Sequence, residues 1–489
     1  MDFKQWLEMY GSVGVFYGIF SLAYAIFFHM DVRCRQKKAL QKDMRGGSPP
    51  GYLGQFSGWL GFVLVVSLLM SGWRGTAYTM FSLCFFLFRQ ISIYFLILLL
   101  LLPLLRRCFS AVLCAELWVL PSALYVVLYS GLRIQQWNPL PALHVELTWL
   151  RADMLILAWA VGATLVLARN VARHLIFRRS ILKDASPEED EDVLTLWQAE
   201  QEKNGFPDAD LPLVRSAGVS TPLSIGFFPG TLRVVLPKRD YTAEELVLVF
   251  RHELIHISRR DASVKFFMVC CTAICWFNPL VWVAMRRSAE DMELCCDETV
   301  LLAEEASVRL RYGELLLSTA GDERGFTTCL AASAGAMRYR LRRVMAPGKR
   351  WTGGFLAGMC IFWLLVTVRE VTVVFAPVSW DEMARISAPV SVELFVGNHV
   401  PYEPADQEAL FSYLESLSWC DTVGYSYPAV GRPRLDIEET VWKGQHLALI
   451  GDTMVDFGDG FMLDGLRQYR CLEGVDWDYI LSLFPQTEA

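Results

Sequence analysis

Long stretches without a formal charge recur along this chain. Gly11 to Met30 is twenty such residues, and Gly51 to Trp73 and Trp351 to Val368 are comparable. A bilayer core of about 30 Å takes about 20 helical residues, so each stretch can cross it. Composition agrees: of 489 residues 54% are hydrophobic and only 20% are charged, which excludes an ordinary soluble chain. The expected fold class is a multi-span α-helical membrane protein, multi-pass in the cell membrane.

Charge sets the expected orientation. Arg33, Arg35, Lys37, Lys38, Lys42 and Arg45 follow the first stretch. Arg106 and Arg107 end the apolar block Ala77–Leu105, and Arg169, Arg173, Arg178 and Arg179 follow Met154–Ala168. Arg338, Arg340, Arg342, Arg343, Lys349 and Arg350 precede the last stretch. Basic loops stay on the cytoplasmic side, so six crossings are expected, with Cys108–Gly131 returning outward and both termini outside. The expected division is a transmembrane hairpin over 1–75, three transmembrane helices over 76–180, a cytoplasmic domain over 181–350, a last transmembrane helix over 351–377 and an extracellular domain over 378–489. That last region carries 19 Asp/Glu against 6 Lys/Arg.

The cytoplasmic block holds the chemistry. Its opening acidic run, Glu188 to Asp192, reads as a solvated linker. Leu223 to Leu236 alternates and turns at Pro229-Gly230, which predicts a β-hairpin. Thr242-Ala-Glu-Glu predicts a capped helix start, and the helix carries His252-Glu253-Leu254-Ile255-His256. Histidines four apart share one face, so both imidazoles can reach one Zn²⁺, while Glu253 can take a proton from an attacking water. A zinc peptidase also needs a third protein ligand. Glu293 is the expected one, and Asp297, one turn further, is expected to accept from the other nitrogen of a ligand histidine. Glu290, Asp291 and Glu298 read as a solvated face, and Cys295 and Cys296 as packing residues. Phe266 to Met285 is again free of charge, yet it cannot cross, because His256 and Glu293 would then lie on opposite sides of the bilayer. A membrane-embedded helical pair turning at Asn278 and Pro279 is expected instead.

The strings PLSIGFFPGTLRVVLP, RHELIHISRRD, CWFNPLVW and DMELCCDE, in this order, resemble those of the BlaR/MecR-type membrane zinc metallopeptidases, the antirepressor family of β-lactam resistance. The resemblance runs from about Ala77 to Val368. It implies zinc held by His252, His256 and Glu293, Glu253 as general base, and cleavage of a cytoplasmic protein, often a DNA-binding repressor, after a signal from outside. Two features depart from the family. Residues 1–75 add a hairpin, and the acidic tail, with Lys443 as its single lysine, offers no penicillin-binding elements. The one SxxK match, Ser180-Ile-Leu-Lys183, lies on the cytoplasmic side, so sensing of β-lactams is not carried over.

The tail reads as a small α+β domain, with strands at Val390–Val396, His446–Ile450 and Thr453–Phe457 and a helix at Pro404–Leu417. Its extracellular ligand is unreadable. Most of the 13 cysteines read as small buried hydrophobes, while Cys420 and Cys471 could pair with each other outside the cell. Met337–Arg350 reads as an exposed basic segment, either an anchor at the inner face or a place for self-cleavage. The reading is a zinc endopeptidase that transduces a signal by cutting a repressor or itself, without direct nucleic-acid contact and with a homodimer left open. The alternatives are an inactive receptor signalling by helix movement and a membrane quality-control protease.

Overall fold

The computed structural model describes residues 81, 85, 87–123, 143–206, 211–227, 229–302, 304–319, 334–345, 351, 353, 355–356, 358–360, 371–384, 390–396, 402–423, 433–439, 445–456 and 467–484. The stretches Gly11–Met30 and Gly51–Trp73, and most of Trp351–Val368, lie outside these residues. Two compact units emerge. One draws on Gln90–Val127 and Ala163–Leu364, the other on Gly58–Arg89, Leu128–Gly162 and Leu365–Ala489.

Two helices, Leu87–Cys108 (α1) and Ala152–Lys183 (α3), are long and apolar enough to cross a membrane. On α1, Ile91, Phe95, Leu98 and Leu102 are buried at helical spacing, while Leu100 and Leu104 are exposed on the other side. A helix apolar on both its packed and its open face suits a lipid surround better than water. Between α1 and α3 lies the short helix Ala111–Leu117 (α2), capped by Ser110, whose hydroxyl accepts from the Leu113 N–H. It stops at Trp118 and gives way to a 3₁₀ turn, Leu120–Ala123. A continuous return span from Cys108 is therefore not formed over the described part. Pro121 lacks the N–H that a further α-turn would need.

The first unit contains a four-stranded sheet in the order Ser186–Pro187, Leu213–Ser216, Arg233–Pro237 and Leu223–Ile225, with the middle pair parallel. The hairpin expected at Leu223–Leu236 is present, with Ser224 opposite Val234. Gly226 makes its bend at φ +124°, where a Cβ would come within 2.3 Å of the Thr231 carbonyl oxygen, so no other residue fits. The acidic run after the first strand is exposed at Glu189–Asp192, as expected of a solvated linker, but not at its first residue. Glu188 is buried and pairs with Arg215, and Asp190 caps the helix Glu191–Lys203 (α4). After the sheet come the helices Ala243–Ser258 (α5), Asp261–Ile274 (α6), Pro279–Val300 (α7), Ala306–Thr319 (α8) and Ala334–Met345 (α9), of which α5 packs against the sheet and shares a core with the ends of α7, α8 and α9. The shared core includes Trp197, Val234, Leu246, Phe250, Leu254 and Tyr312, and the Trp197 and Phe250 rings meet edge to face at 4.9 Å. Each such side chain contributes about 1.5–3 kcal/mol by leaving water.

The charge-free run Phe266–Met285 is two helices rather than one. Asn278 caps α7 by accepting from the Leu280 N–H, Pro279 occupies the first turn, and the Asn278 amide donates to Ser92 Oγ on α1 at 2.8 Å.

The second unit is α+β. Its described strands form one sheet in the order Leu143–Glu146, Val371–Val378, Trp419–Val423, Arg467–Cys471, Thr453–Asp456, His446–Ile450, Arg434–Glu439 and Val390–Phe395. The first pair is parallel and the rest antiparallel. Two departures from expectation follow. Residues 371–377, assigned above to the last transmembrane helix, are strand, as their Val-Thr-Val-Val start favours. Cys420 and Cys471 are free. Cys420 faces Arg470 and Cys471 faces Trp419 across the same strand pair, so the pleat sends the two thiols to opposite faces and they cannot bond. The helix expected near Pro404–Leu417 is present as Gln407–Ser416, capped by Asp406.

Candidate metal centre

The HExxH helix is set by local chemistry at both ends. At its start Thr242 Oγ1 accepts from the Glu245 N–H at 3.3 Å, and Glu245 Oε2 accepts from the Thr242 N–H at 2.8 Å. This reciprocal cap is worth about 1 kcal/mol. Leu246, Val249, Phe250, Leu254 and Ile257 are buried in the core, which turns His252 and His256 toward α7. At its end Arg260 adopts φ 50°, ψ 45°, a left-handed conformation that a non-glycine residue takes at a cost of about 1 kcal/mol. That turn starts α6 immediately and brings Asp261 back against the helix it has just left.

Three side chains converge. His252 Nε2 and His256 Nε2 are 3.0 Å apart, and Glu293 places Oε2 3.5 Å from the first and Oε1 3.6 Å from the second. His256 is buried, while His252 and Glu293 keep 14% and 13% of their side-chain surface, enough for access from one side. The other imidazole nitrogens are engaged. His256 Nδ1 donates to Asp261 Oδ2 at 2.7 Å, and His252 Nδ1 donates to the Tyr312 hydroxyl at 2.9 Å. Tyr312 in turn donates to Asp297 Oδ1 at 2.8 Å, and Asp297 is gripped by Arg340 through Nε and Nη2, both at 2.7 Å. A carboxylate can only accept, so these partners fix both tautomers with the proton on Nδ1. Two Nε2 lone pairs are left facing each other.

The same groups are strongly coupled electrostatically. Burial opposes charge on Glu293, but His256, His252 and Arg340 outweigh it and hold the carboxyl well below its usual range. Burial likewise opposes charge on His252, but Glu293 wins and raises the imidazole above its ordinary value. Asp261 is lowered by Arg259 and His256 against the same penalty. Around the site Asp261, Glu293 and Asp297 are paired with two guanidiniums, Arg259 and Arg340, a formal excess of one negative charge before Glu253 is counted.

These features fit a divalent metal. Donors about 2.0–2.1 Å from a tetrahedral zinc stand about 3.3 Å apart, close to the separations found. Two opposed lone pairs and an excess negative charge are costly without a cation. Glu293 Oε1 and Glu253 Oε2 are moreover buried without a hydrogen-bond partner among the described residues. A second cluster, His256, Asp261 and Cys296, fits poorly. His256 Nδ1 is already committed to Asp261, and burial first, then Asp261, pushes the Cys296 thiol far up, so it stays protonated.

His252, His256 and Glu293 thus stand together as expected, while other expectations need correction. Asp297 does not accept from His252 directly, since Nδ1 is 3.8 Å from Oδ1, beyond hydrogen-bond range; Tyr312 stands between them. The direct carboxylate partner of a histidine is Asp261, which lay inside the quoted string RHELIHISRRD but received no role. Met337–Arg350 is exposed at Arg338, Arg342 and Met345 but not throughout its described part. Residues 337–345 are helical in α9, where the Arg340 and Arg343 side chains retain only 11% and 10% of their surface. Nor is Asp291 solvated. It is fully buried between Arg106 Nε and Trp118 Nε1, both at 2.7 Å.

Comparison with known proteins matches this region to a family. Residues 134–346 match the model of the BlaR1 peptidase M56. Regulatory protein BlaR1 of Bacillus licheniformis is 28% identical over 184 residues, which are 37% of this chain and 30% of that protein. The methicillin resistance mecR1 proteins of Staphylococcus aureus and Staphylococcus epidermidis are 25% identical over 167 residues, 34% of this chain and 28% of theirs. The chain therefore spans about 30% of the length of these curated relatives. Residues 134–346 of this chain are thus similar to the BlaR1 peptidase M56 domain and to the BlaR1 and mecR1 proteins.

Proposed function

We propose that the chain is an integral-membrane zinc endopeptidase that transmits an extracellular signal by cutting a cytoplasmic protein, a DNA-binding repressor or the chain itself. The observation that carries this reading is the convergence of His252 Nε2, His256 Nε2 and Glu293 on one point beside an unpaired Glu253 carboxylate oxygen. His252, His256 and Glu293 would hold the metal. When bound, zinc supplies a Lewis acid that polarises the scissile carbonyl and acidifies water. Glu253 accepts the proton of the attacking water as the new C–O bond forms, then returns it to the amide nitrogen as the C–N bond breaks. Asp261 keeps the His256 lone pair turned inward throughout. The unassigned signal would act on the acidic tail, and β-lactam acylation is not its chemistry. Ser180 and Lys183 fall in the last turn of α3, and a labelled penicillin should leave no covalent adduct.

The test is metal analysis and peptide identification on purified protein. Wild type should carry one zinc per chain and cut a substrate. Glu253→Gln should keep the zinc and lose at least about 10²–10⁴-fold in cleavage rate. Undiminished proteolysis in Glu253→Gln would sink the mechanism, and zinc without any cleavage by wild type would favour a receptor that signals by helix movement. Peptides drawn from many unrelated membrane proteins would point to quality control.

A further inference from the structure

We propose that Tyr312 and Arg340 are positioning residues for the metal site, closing with Asp297 a ring of side chains that fixes His252 and Glu293 in their binding geometry. The proposal rests on the zinc-peptidase reading above and names what sets the affinity of that site.

The ring is continuous. His252 Nδ1 donates to Tyr312 at 2.9 Å, Tyr312 donates to Asp297 at 2.8 Å, and Arg340 donates twice to Asp297 at 2.7 Å. The third guanidinium nitrogen, Nη1, then lies 3.4 Å from Glu293 Oε2, and that oxygen lies 3.5 Å from His252 Nε2. Five side chains from four helices thus lead from one candidate ligand back to another. His252 Nδ1, the Tyr312 hydroxyl, and Arg340 Nε and Nη2 each have an acceptor. The valences left over, the His252 Nε2 lone pair and those of Glu293, point to the place where the donors converge.

Packing alone does not call for such a ring. Burying a carboxylate, a phenol and a guanidinium together gains little over apolar residues of the same shape. The phenyl ring of Tyr312 already fills the core beside Leu315 and Leu316, so its hydroxyl adds direction rather than volume. Arg340 is suited by its planar fork, which can hold both Asp297 oxygens and still reach Glu293; a lysine ammonium offers no fixed fork. The other arm of the site is built differently. His256 takes its partner Asp261 directly, from the start of the next helix. The two arms should therefore respond independently.

The experiment uses the full chain in detergent and measures zinc affinity by competition with a chromogenic chelator, together with the absorption spectrum of the cobalt-substituted protein. Tyr312→Phe and Arg340→Lys should each weaken zinc binding about 10–100-fold and alter the cobalt bands, which report ligand geometry and which a purely structural residue would leave alone. Their double variant should be no worse than the poorer single one, because both cut the same ring. Tyr312→Phe combined with Asp261→Asn should instead be additive. If Arg340→Lys fails to fold, Tyr312→Phe carries the test, since it keeps the packed ring. A folded Tyr312→Phe with wild-type zinc affinity and an unchanged cobalt spectrum overturns the proposal while leaving the peptidase reading intact. Wild-type protein that binds no zinc overturns both.

Discussion

Glu293 and Asp297 lie on one side of α7, and Asp291 and Glu298 lie about 130° around it, at 100° per residue. Both sides carry two acidic residues, and both are covered and paired. Asp291 is fully buried and salt-bridged to Arg106; Glu298 binds Arg343 and the Ala111 N–H. Burial and ion pairing therefore do not separate a functional carboxylate from a structural one. The distinguishing property is leftover bonding capacity. Arg106 takes one oxygen of Asp291 and Trp118 takes the other, whereas Glu293 Oε1 has no hydrogen-bond partner among the described residues and faces two imidazoles. The two carboxyls are also shifted in opposite directions. Burial lifts the Asp291 carboxyl above its ordinary value despite Arg106, while the imidazoles and Arg340 hold Glu293 far below.

The largest effect should fall on metal content. Glu293→Ala should reduce zinc from one equivalent to none after dialysis and abolish cleavage, as should His252→Ala and His256→Ala. Asp291→Asn should retain one equivalent, because Asp291 meets Arg106 and Trp118 rather than the imidazoles. Metal analysis of both variants decides the matter, and equal loss from the two would break the distinction between the faces.

The second effect is on stability, with the order reversed. Asp291→Ala takes the acceptor from Arg106 Nε and from the Trp118 N–H, while Arg106 Nη2 keeps Glu290 at 3.1 Å, so the cost should lie at the lower end of a broken buried pair, about 3 kcal/mol. Glu293→Ala in metal-free protein loses a carboxylate whose charged form the imidazoles and Arg340 favour, but its Oε1 has no hydrogen-bond partner among the described residues and Arg340 keeps Asp297, so its cost should be the smaller of the two. Denaturation midpoints in detergent, measured with a chelator present, compare them. A Glu293→Ala penalty as large as that of Asp291→Ala would mean that the metal face is a structural network after all.

Sequence made much of the metal face readable, because its signals are local. A cap at Thr242, histidines four apart, and Glu293 and Asp297 four apart all follow from helical period. Tyr312 and Arg340 carried no such signal. Tyr312 lies 60 positions from His252, and Arg340 lies 43 from Asp297, so only the packing of α8 and α9 reveals their roles. The opposite face of α7 was misread for the same reason, since Arg106 pairs with Asp291 across 185 positions. Asp261 was closer at hand. Its role depends on the left-handed turn at Arg260, and nothing in Arg-Arg-Asp announces that conformation. In the second unit the alternating strands could be read, but not that Leu143–Glu146 pairs with Val371–Val374. Period reveals which face a residue occupies, and not which strand lies beside it.

The smallest effect sharpens the contrast within the structural face. Trp118 donates a neutral N–H to Asp291, and Trp118→Phe removes that donor while keeping most of the buried ring. Hydrogen bonds to charged groups contribute about 1.5–3 kcal/mol, and the smaller aromatic leaves a void in a fully packed place, so a loss of about 2 kcal/mol is expected. At Glu298 the side chain is 30% exposed and Arg343 keeps a second acceptor, the Arg106 carbonyl at 2.8 Å. Glu298→Gln preserves an oxygen for the Ala111 N–H and loses only a screened charge, so its cost should stay below about 1 kcal/mol. Neither change should alter zinc stoichiometry. If Glu298→Gln proves as damaging as Trp118→Phe, Arg343 depends on the charge of Glu298 far more than its two acceptors imply, and the contact between α9 and the end of α1 is held mainly by that ion pair.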